Sequence, residues 1–194
     1  TPLIADPGFK LVRECGQEGL PVFPIPGASA LVTALCAAGL PTDQFTFAGF
    51  LPPKQAARRT RLSNLKSVPG TLVFYEAPQR AAQSLSDMAE VLGERQAVVA
   101  RELTKLHEEL ARGALQTLAD DFAKRDVKGE IVVVVGPAEA LPVDDDAIAA
   151  QLNVALTSMR LKDAAAAVAD ALGVAKSRVY AIGLKVKNEH ADEE

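Results

Sequence analysis

Stretches with strand patterning alternate with stretches of helical patterning through the middle of this sequence. The strand-like runs are Thr71–Tyr75, Gln96–Ala100 and Glu130–Val135. Between the first two, a helix is expected to begin near Pro78, which a first turn tolerates, and to end at Gly93. Alternation of this kind predicts an α/β fold in which helices pack on a sheet.

Helices are also predicted on either side of this region. The first segment reads as a helix over residues 9–18, a short strand over 21–25 and a helix over 30–38. Ser29 is placed to cap the second of these helices, and Gly39 is placed to end it. Thr117 is expected to cap a further helix that runs to Arg125.

The composition changes to proline, small residues and aspartates before the C-terminal region. We predict a linker over residues 139–145 and a small helical module over 146–188, with helices at 147–159, 162–172 and 176–187. Three short helices with a tight turn before the last one are typical of a helix-turn-helix-like module. Before this linker, a second segment of alternating strands and helices is expected to run from Phe45 to about Ala138.

The overall charge and the cysteines exclude several classes of protein. The formal net charge is −4, which excludes a uniformly basic nucleic-acid coat. The two cysteines, Cys15 and Cys36, lack metal-site spacing and fit a reducing cytosol, with Cys36 expected in the core. Apolar runs such as Ile131–Val135 are far too short for a membrane span, so no membrane partner is expected.

A tight turn, Pro26-Gly27-Ala28-Ser29, precedes the helix at residues 30–38. Free backbone amides at a helix N-terminus, together with a hydroxyl, suit a carboxylate or a phosphate. In the alternative interpretation Gly27 forms the turn and Ser29 only caps the helix, which is a common arrangement.

The segment Leu51–Lys66 is basic and contains no acidic residue. Its basic residues are Lys54, Arg58, Arg59, Arg61 and Lys66. Such a segment could attract and hold a phosphate backbone. The alternative is a solvated helix face without a ligand.

Ionisable residues follow two of the predicted strands. Arg101, Glu102, Lys105 and His107 come after Gln96–Ala100, and Glu76 comes at the end of the first strand. Strand ends in α/β folds are where sites are built, so these residues are candidates for a polar pocket. The alternative for residues 100–109 is a surface loop or hairpin whose charges meet water.

Five ordered motifs together closely resemble one family. They are Thr1–Gly8, Pro24–Ala30, Gly49–Pro52, Phe74–Arg80 and Ala100–Lys105. The family is the ribosomal RNA small-subunit methyltransferase I group of the tetrapyrrole methylase superfamily, and the resemblance covers nearly the whole chain, including the helical module.

The resemblance implies an S-adenosylmethionine-dependent enzyme that methylates the ribose 2′-hydroxyl of a cytidine in the decoding region of 16S rRNA. It implies two α/β domains, residues 1–46 and 47–138 of this chain, with the methyl donor between them. It also implies a homodimer and a cytoplasmic location. The family's first strand and Gly-rich loop would lie upstream of Thr1, so we expect the chain to be a fragment with an incomplete donor site.

The family's contacts transfer to matching positions. Donor-binding residues would be Leu3, Ile4, Ser29, Ala30, Tyr75, Leu103, Glu130 and Ile131. Removing the 2′-hydroxyl proton would fall to Glu76, Glu102 or Lys105. Arg101 and the five basic residues of Leu51–Lys66 would hold RNA phosphates.

Two other functions fit parts of this pattern. Another enzyme of the superfamily, acting on a tetrapyrrole or a modified histidine, would not need the basic segment. A non-enzymatic RNA-binding protein would use the helical module alone and would not bind S-adenosylmethionine.

Overall fold

The computed structural model describes residues 1–138 and 144–191, with side chains described up to residue 185. The chain divides into two compact units, residues 1–139 and 140–194, which we call the α/β unit and the helical unit. The predicted boundary between residues 46 and 47 falls inside the first strand of the α/β unit and stays a prediction. Most of the predicted linker, residues 139–143, lies outside the described residues.

The α/β unit contains a five-stranded mixed sheet and five α-helices. In chain order the elements are α1 (Phe9–Gln17), α2 (Ala30–Ala38), β1 (Phe45–Phe50), α3 (Gln55–Leu65), β2 (Thr71–Glu76), a 3-10 turn (Pro78–Arg80), α4 (Ala81–Leu92), β3 (Gln96–Arg101), β4 (Glu109–Ala114), α5 (Leu115–Phe122) and β5 (Ile131–Val135). The strand order is β1-β2-β5-β3-β4. Only β1 and β2 are parallel, and the other three pairs are antiparallel. The predicted α/β sheet with packed helices is confirmed.

The central strand β5 separates two hydrophobic cores. Ile131, Val133 and Val135 face the larger core, which contains the apolar sides of α3, α4 and α5. Val132 and Val134 face a smaller core against α2. Because successive side chains of a strand point to opposite faces, a strand made only of apolar residues is buried on both sides. Helices therefore cover both faces of the sheet.

Three local predictions for the α/β unit are wrong. Residues 21–25 form no strand, and Phe23 and Ile25 are 79% and 86% exposed, because no described strand lies beside them to pair with. α5 begins at Leu115, ahead of Thr117, because β4 leads directly into it and Leu115 is fully buried. Cys36 is exposed, since it lies on the side of α2 that faces away from the sheet.

The helical unit contains α6 (Asp145–Leu156), α7 (Leu161–Leu172) and α8 (Lys176–Ala191). Asp144 caps α6, because its Oδ1 atom accepts a hydrogen bond from the Ala147 amide at 2.7 Å. Gly173 ends α7 in a left-handed conformation. The three helices enclose their own small core, which includes Ile148, Leu152 and Val179. The predicted three-helix module is confirmed.

No helix within the described residues is both long enough and apolar enough to cross a membrane.

Candidate functional site

One edge of the sheet brings together the ends of three strands. Ile131, the first residue of β5, pairs with Glu76 at the end of β2 and with Arg101 at the end of β3. β2 and β3 therefore run in the same direction on either side of β5, and the segments that follow them leave the sheet side by side. The two strand exits chosen from the sequence meet at this edge.

Two adjoining cavities open at this edge, next to the N-terminus of α2. The larger has a volume of about 560 Å³ and the smaller about 210 Å³, and both are lined by Ala30, Glu130 and Val132. Of the predicted donor-binding residues, Ile4, Ala30, Tyr75, Glu130 and Ile131 line the larger cavity. Ser29, Ala30, Leu103 and Glu130 line the smaller one. Leu3 lines neither.

Tyr75 connects the sheet to the start of α2. Its hydroxyl oxygen accepts a hydrogen bond from the Leu31 amide at 3.2 Å, and its ring makes edge contacts with Phe47 and Phe50 at 4.8 and 5.7 Å between centroids. Ser29 occupies the N-cap position but makes no side-chain capping bond, so the prediction that it caps α2 is wrong. The Tyr75 hydroxyl instead takes up an amide of the first turn, and Ser29 lines the smaller cavity.

Glu76 is buried, and its carboxylate is held on both sides. Oε1 accepts from the Ala77 amide at 2.7 Å and pairs with Arg80 at 2.8 Å. Oε2 accepts from the Ser84 hydroxyl at 2.5 Å. Glu76 also lines the larger cavity, so it lies at the boundary between the core under α4 and the site.

Glu102 ties the exit of β3 to the segment before β5. Its amide donates to the Glu130 carbonyl at 3.0 Å, and its Oε1 accepts from the Glu130 amide at 2.9 Å. The side chain lies against Gly129, where an added Cβ would be 2.4 Å from the Glu102 Cγ. The hydrogen bond from the Glu130 amide, with help from Lys105, lowers the pKa of Glu102. Glu102 itself lines neither cavity.

Lys105 lies between two carboxylates at the rim of the smaller cavity. Its Nζ is 3.0 Å from Glu102 Oε1 and 3.1 Å from Glu130 Oε2. Hydrogen bonds to Glu102 and then to Glu130 raise its pKa, so the side chain stays an ammonium ion. Glu102 and Thr104 both have positive φ, 50° and 65°, a strained conformation for residues other than glycine. The carboxylate contacts hold this strained turn in place.

Arg101 points away from the cavities and into an ion-pair cluster. Its Nε is 2.9 Å from Glu109 Oε2, and its Nη1 donates to the Lys128 carbonyl at 3.2 Å. Arg125 binds both Glu109 oxygens, at 2.7 and 2.6 Å. The Arg101 guanidinium therefore holds β3, β4 and the segment before β5 together.

We expect the free energy of unfolding of the Glu109→Gln variant to depend less on pH in the acidic range than that of the wild type. Hydrogen bonds from Arg125, opposed by burial and aided by Arg101, lower the pKa of Glu109. A carboxyl whose folded pKa lies below its unfolded value of about 4.3 stabilises the fold above that pH, and this contribution is lost as the pH falls through the folded pKa. Urea unfolding of the variant should then change less than that of the wild type between about pH 5 and pH 3.

Glu94→Gln is the matched control, because Glu94 is exposed, and its curve should follow the wild type. A Glu109→Gln curve parallel to the wild-type curve would contradict the assignment.

The basic segment is less uniform in the structure than in the sequence. Arg58 is only 2% exposed, and its Nε donates to Asp87 at 2.7 Å. Arg59 pairs with Asp87 and with Glu90. Arg58 is therefore part of the packing between α3 and α4, so its assignment as a phosphate contact is corrected. Lys54, Arg61 and Lys66 are exposed.

Several residues of the larger cavity were not predicted from the sequence. They include Asp6, Phe50, Ala77, Pro78, Gly129 and Val132. Phe50 and Pro78 lie inside motifs that the sequence did single out, and Gly129 directly precedes the strand-like run at residues 130–135. A glycine immediately before a buried strand was the available signal for Gly129. Asp6 likewise lies inside a motif, Thr1–Gly8, although it was not predicted to bind the donor.

Two family profiles match the sequence. The profile described as tetrapyrrole (corrin/porphyrin) methylases matches residues 1–119, which include the cavity residues of α2 and β2 and the turn after β3. The profile described as the RsmI C-terminal HTH domain matches residues 142–187, which correspond to the helical unit.

Curated relatives are similar over almost the whole chain. The ribosomal RNA small subunit methyltransferase I of Mesorhizobium japonicum is 50% identical over 97% of this chain and 65% of its own length. The protein of the same name from Pasteurella multocida is 44% identical over 95% of this chain and 68% of its own length. The chain thus spans about two thirds of the length of these relatives.

A solved structure supports the fold. The crystal structure of the methyltransferase CobJ matches 67% of this chain and 57% of its own chain, with a TM-score of 0.50 and 20% sequence identity. At this identity the likeness shows a shared fold.

Proposed function

Because the chain belongs to the tetrapyrrole methylase family, and within it to the ribosomal RNA small subunit methyltransferase I group, we propose that the complete protein methylates the ribose 2′-hydroxyl of a cytidine in the decoding region of 16S rRNA. The methyl donor is S-adenosylmethionine. What supports this proposal is the position of the predicted donor-binding residues, of which Ile4, Ala30 and Tyr75 line one cavity and Leu103 the adjoining one.

The residues at the larger cavity fit a nucleoside-containing donor. Its volume of about 560 Å³ lies in the range of small-molecule sites, which combine apolar walls with a few polar groups. Tyr75 and Ile131 supply apolar surface for an adenine ring, and the Glu130 and Asp6 carboxylates suit hydroxyl or ammonium groups. Bound there, the sulfonium of the donor supplies an electrophilic methyl group.

The protein must then hold the 2′-hydroxyl in line with that methyl group and take its proton. Of the three candidates, Glu76 and Lys105 line a cavity and Glu102 does not. Lys105 stays protonated because its pKa is raised by Glu102 and Glu130, so it acts as a cation that attracts a phosphate or a developing oxyanion. Glu102 positions Lys105 and Glu130, and Glu76 accepts the proton.

We expect Glu76→Gln to lower the rate of methyl transfer at least about 100-fold in the complete protein, which is typical of losing a general base. The amide keeps the size of the side chain and can still accept from the Ala77 amide, so donor affinity should change little. Single-turnover transfer and donor binding are measured separately. Ser84→Ala is the matched control, because it removes the 2.5 Å hydrogen bond to Glu76 and keeps the carboxylate.

A Glu76→Gln rate close to the wild type would rule out Glu76 as the base. Equal losses in Glu76→Gln and Ser84→Ala would mean that Glu76 acts by holding the structure around the cavity. Glu102→Gln should raise KM more than it lowers kcat, as expected of a positioning residue.

Lys54, Arg61 and Lys66 are the proposed phosphate contacts of the α/β unit, because they are exposed and lie in a segment without acidic residues. Arg101 contributes to RNA binding only by fixing the β3–β4 turn, since Glu109 and the Lys128 carbonyl occupy its guanidinium. The protein is further proposed to act in the cytoplasm, as a homodimer.

The deciding experiment supplies the complete protein with methyl-labelled S-adenosylmethionine and small ribosomal subunits that lack the modification. Nuclease digestion and mass spectrometry then locate the label. The proposal expects one 2′-O-methylcytidine in the decoding region. Label on a base, or transfer only to a tetrapyrrole, would contradict it.

A further inference from the structure

We propose that a cleft in the helical unit binds single-stranded RNA, with two lysines on the phosphates and a tyrosine stacked on a base. Among the described side chains, this cleft of about 470 Å³ is lined by Lys162 of α7 and by Lys176, Ser177 and Tyr180 of α8. The inference rests on the proposed function only in taking the partner to be RNA.

The two helices approach closely at a glycine beside this cleft. Gly183 of α8 is buried, and a Cβ there would be 2.4 Å from the Leu161 side chain, the first residue of α7. Leu161 therefore packs directly onto the α8 backbone. Since Lys162 is the next residue, this contact places it beside the stretch of α8 that carries Lys176 and Tyr180.

Both lysines lie in the first turn of a helix, where a positive charge is unfavourable. Lys162 is the second residue of α7 and Lys176 the first of α8. The amino end of a helix carries partial positive charge, so a cation there is repelled, whereas an anion is attracted. Within the side chains that the structure describes, no carboxylate lines the cleft, and Asp163 is not among its residues. A phosphate in the cleft would relieve this repulsion.

Tyr180 is turned outward from the core of the helical unit. It is 40% exposed, whereas its neighbours on α8, Val179 and Ile182, are 0% and 8% exposed. Exposed aromatic rings beside basic side chains are how proteins hold unpaired bases, because every base can stack on a ring. In a duplex the bases are stacked on each other and cannot stack on a side chain. A cleft that holds Tyr180 together with two lysines therefore favours a single strand.

The test measures binding of the full chain to a fluorescein-labelled single-stranded RNA by anisotropy at several salt concentrations. The Lys162→Gln/Lys176→Gln double variant should weaken binding about tenfold and reduce the slope of log K against log salt by about 1.4, or 0.7 for each lost phosphate contact. Tyr180→Ala should weaken binding roughly five- to a hundredfold, and Tyr180→Phe should stay near the wild type because it keeps the ring.

Lys185→Gln is the matched control. Lys185 is exposed and lies about half a turn around α8 from Lys176, so removing its charge should leave the affinity within about twofold and reduce the slope by well under 0.7. Thermal unfolding of each variant shows whether the helical unit remains folded. If the helical unit of Tyr180→Ala does not remain folded, Tyr180→Phe serves as the second variant.

Wild-type affinity and slope in the double variant would overturn the inference, as would equal losses in Lys185→Gln. Competition by a polyglutamate peptide as strong as that by unlabelled RNA would also overturn it, since the surface would then bind anions in general. Methyl transfer by the complete protein is scored separately. If the complete protein transfers methyl groups but the double variant binds RNA like the wild type, only the proposed cleft is refuted. If the complete protein transfers none but the double variant binds RNA more weakly, only the proposed reaction is refuted.

Discussion

Asp87→Ala is expected to lower the free energy of unfolding of the chain by about 3–5 kcal/mol, the usual effect of removing one partner of a buried ion pair. Asp87 is 1% exposed and Arg58 2% exposed. The Asp87 carboxylate accepts from Arg58 and Arg59 at 2.7 Å each and from Gln55 at 3.2 Å. Without it, the Arg58 guanidinium keeps only the Pro53 carbonyl at 3.1 Å and a longer contact to the Pro52 carbonyl.

Urea unfolding followed by circular dichroism gives the magnitude. Glu90→Ala is the matched control, because Glu90 also pairs with Arg59 but its side chain is 57% exposed. Exposed ion pairs contribute about 0–1 kcal/mol, so the control should unfold close to the wild type.

A loss below about 1 kcal/mol in Asp87→Ala would show that Arg58 is not buried as described. Replacing both partners, in Arg58→Met/Asp87→Leu, should recover much of the stability, since apolar side chains of similar volume remove the unpaired charge. A double variant as unstable as Asp87→Ala would mean that more than the unpaired charge is at stake.

Gly129→Ala is expected to weaken donor binding by the complete protein about tenfold, which corresponds to about 1.4 kcal/mol, the size of one displaced hydrogen bond. Gly129 lines the larger cavity and has φ of +91°. A Cβ there would lie 2.4 Å from Glu102 Cγ and 2.5 Å from its Cδ and Oε1. Glu102 would have to move, which breaks its 2.9 Å hydrogen bond with the Glu130 amide. Glu130, which lines both cavities, would then shift.

Gly93→Ala separates this effect from backbone strain. Gly93 ends α4 with φ of +85°, and an added Cβ would meet nothing within 4 Å. Both variants should lose about 1–3 kcal/mol of stability, because a left-handed conformation is unfavourable for alanine. Calorimetric titration with S-adenosylhomocysteine should show weakened binding only in Gly129→Ala. Equal affinities in the two variants would show that Glu102 does not shape the donor site.

Strands and helices that show a regular pattern of apolar side chains, or that begin at a proline, could be predicted from the sequence. The three central strand-like runs became β2, β3 and β5, and the helix expected near Pro78 begins there as a 3-10 turn followed by α4. The strand exits at Glu76 and Arg101 were chosen as candidate sites, and both meet at the start of β5. Strand ends of one sheet share an edge, so position along the chain carried this information.

Contacts between distant residues could not be predicted. The helix-start pattern at Ser29 favoured a cap, yet the amide of Leu31 is bonded to Tyr75, 44 positions away. Arg58 belongs to a run of basic residues, yet Asp87 on α4 draws it into the packed interface. Local patterning describes which side of an element is apolar, whereas the partner of a polar group depends on what packs beside it.

The sequence by itself determined the alternation of strands and helices, the separate helical module and the strand exits that carry the polar residues. These follow from side-chain periodicity and from the backbone preferences of proline and glycine, which act over a few residues. Only the tertiary structure decided which of those polar groups face a cavity and which form ion pairs within the fold. Glu76 lines the larger cavity and also pairs with Arg80, and Lys105 lies at the rim of the smaller cavity. Arg58 and Arg101 are bound by carboxylates of the fold. The physical reason is that a charged side chain exposed in the unfolded chain interacts with water alone, and acquires its partner only when packing brings a distant carboxylate within a few ångströms.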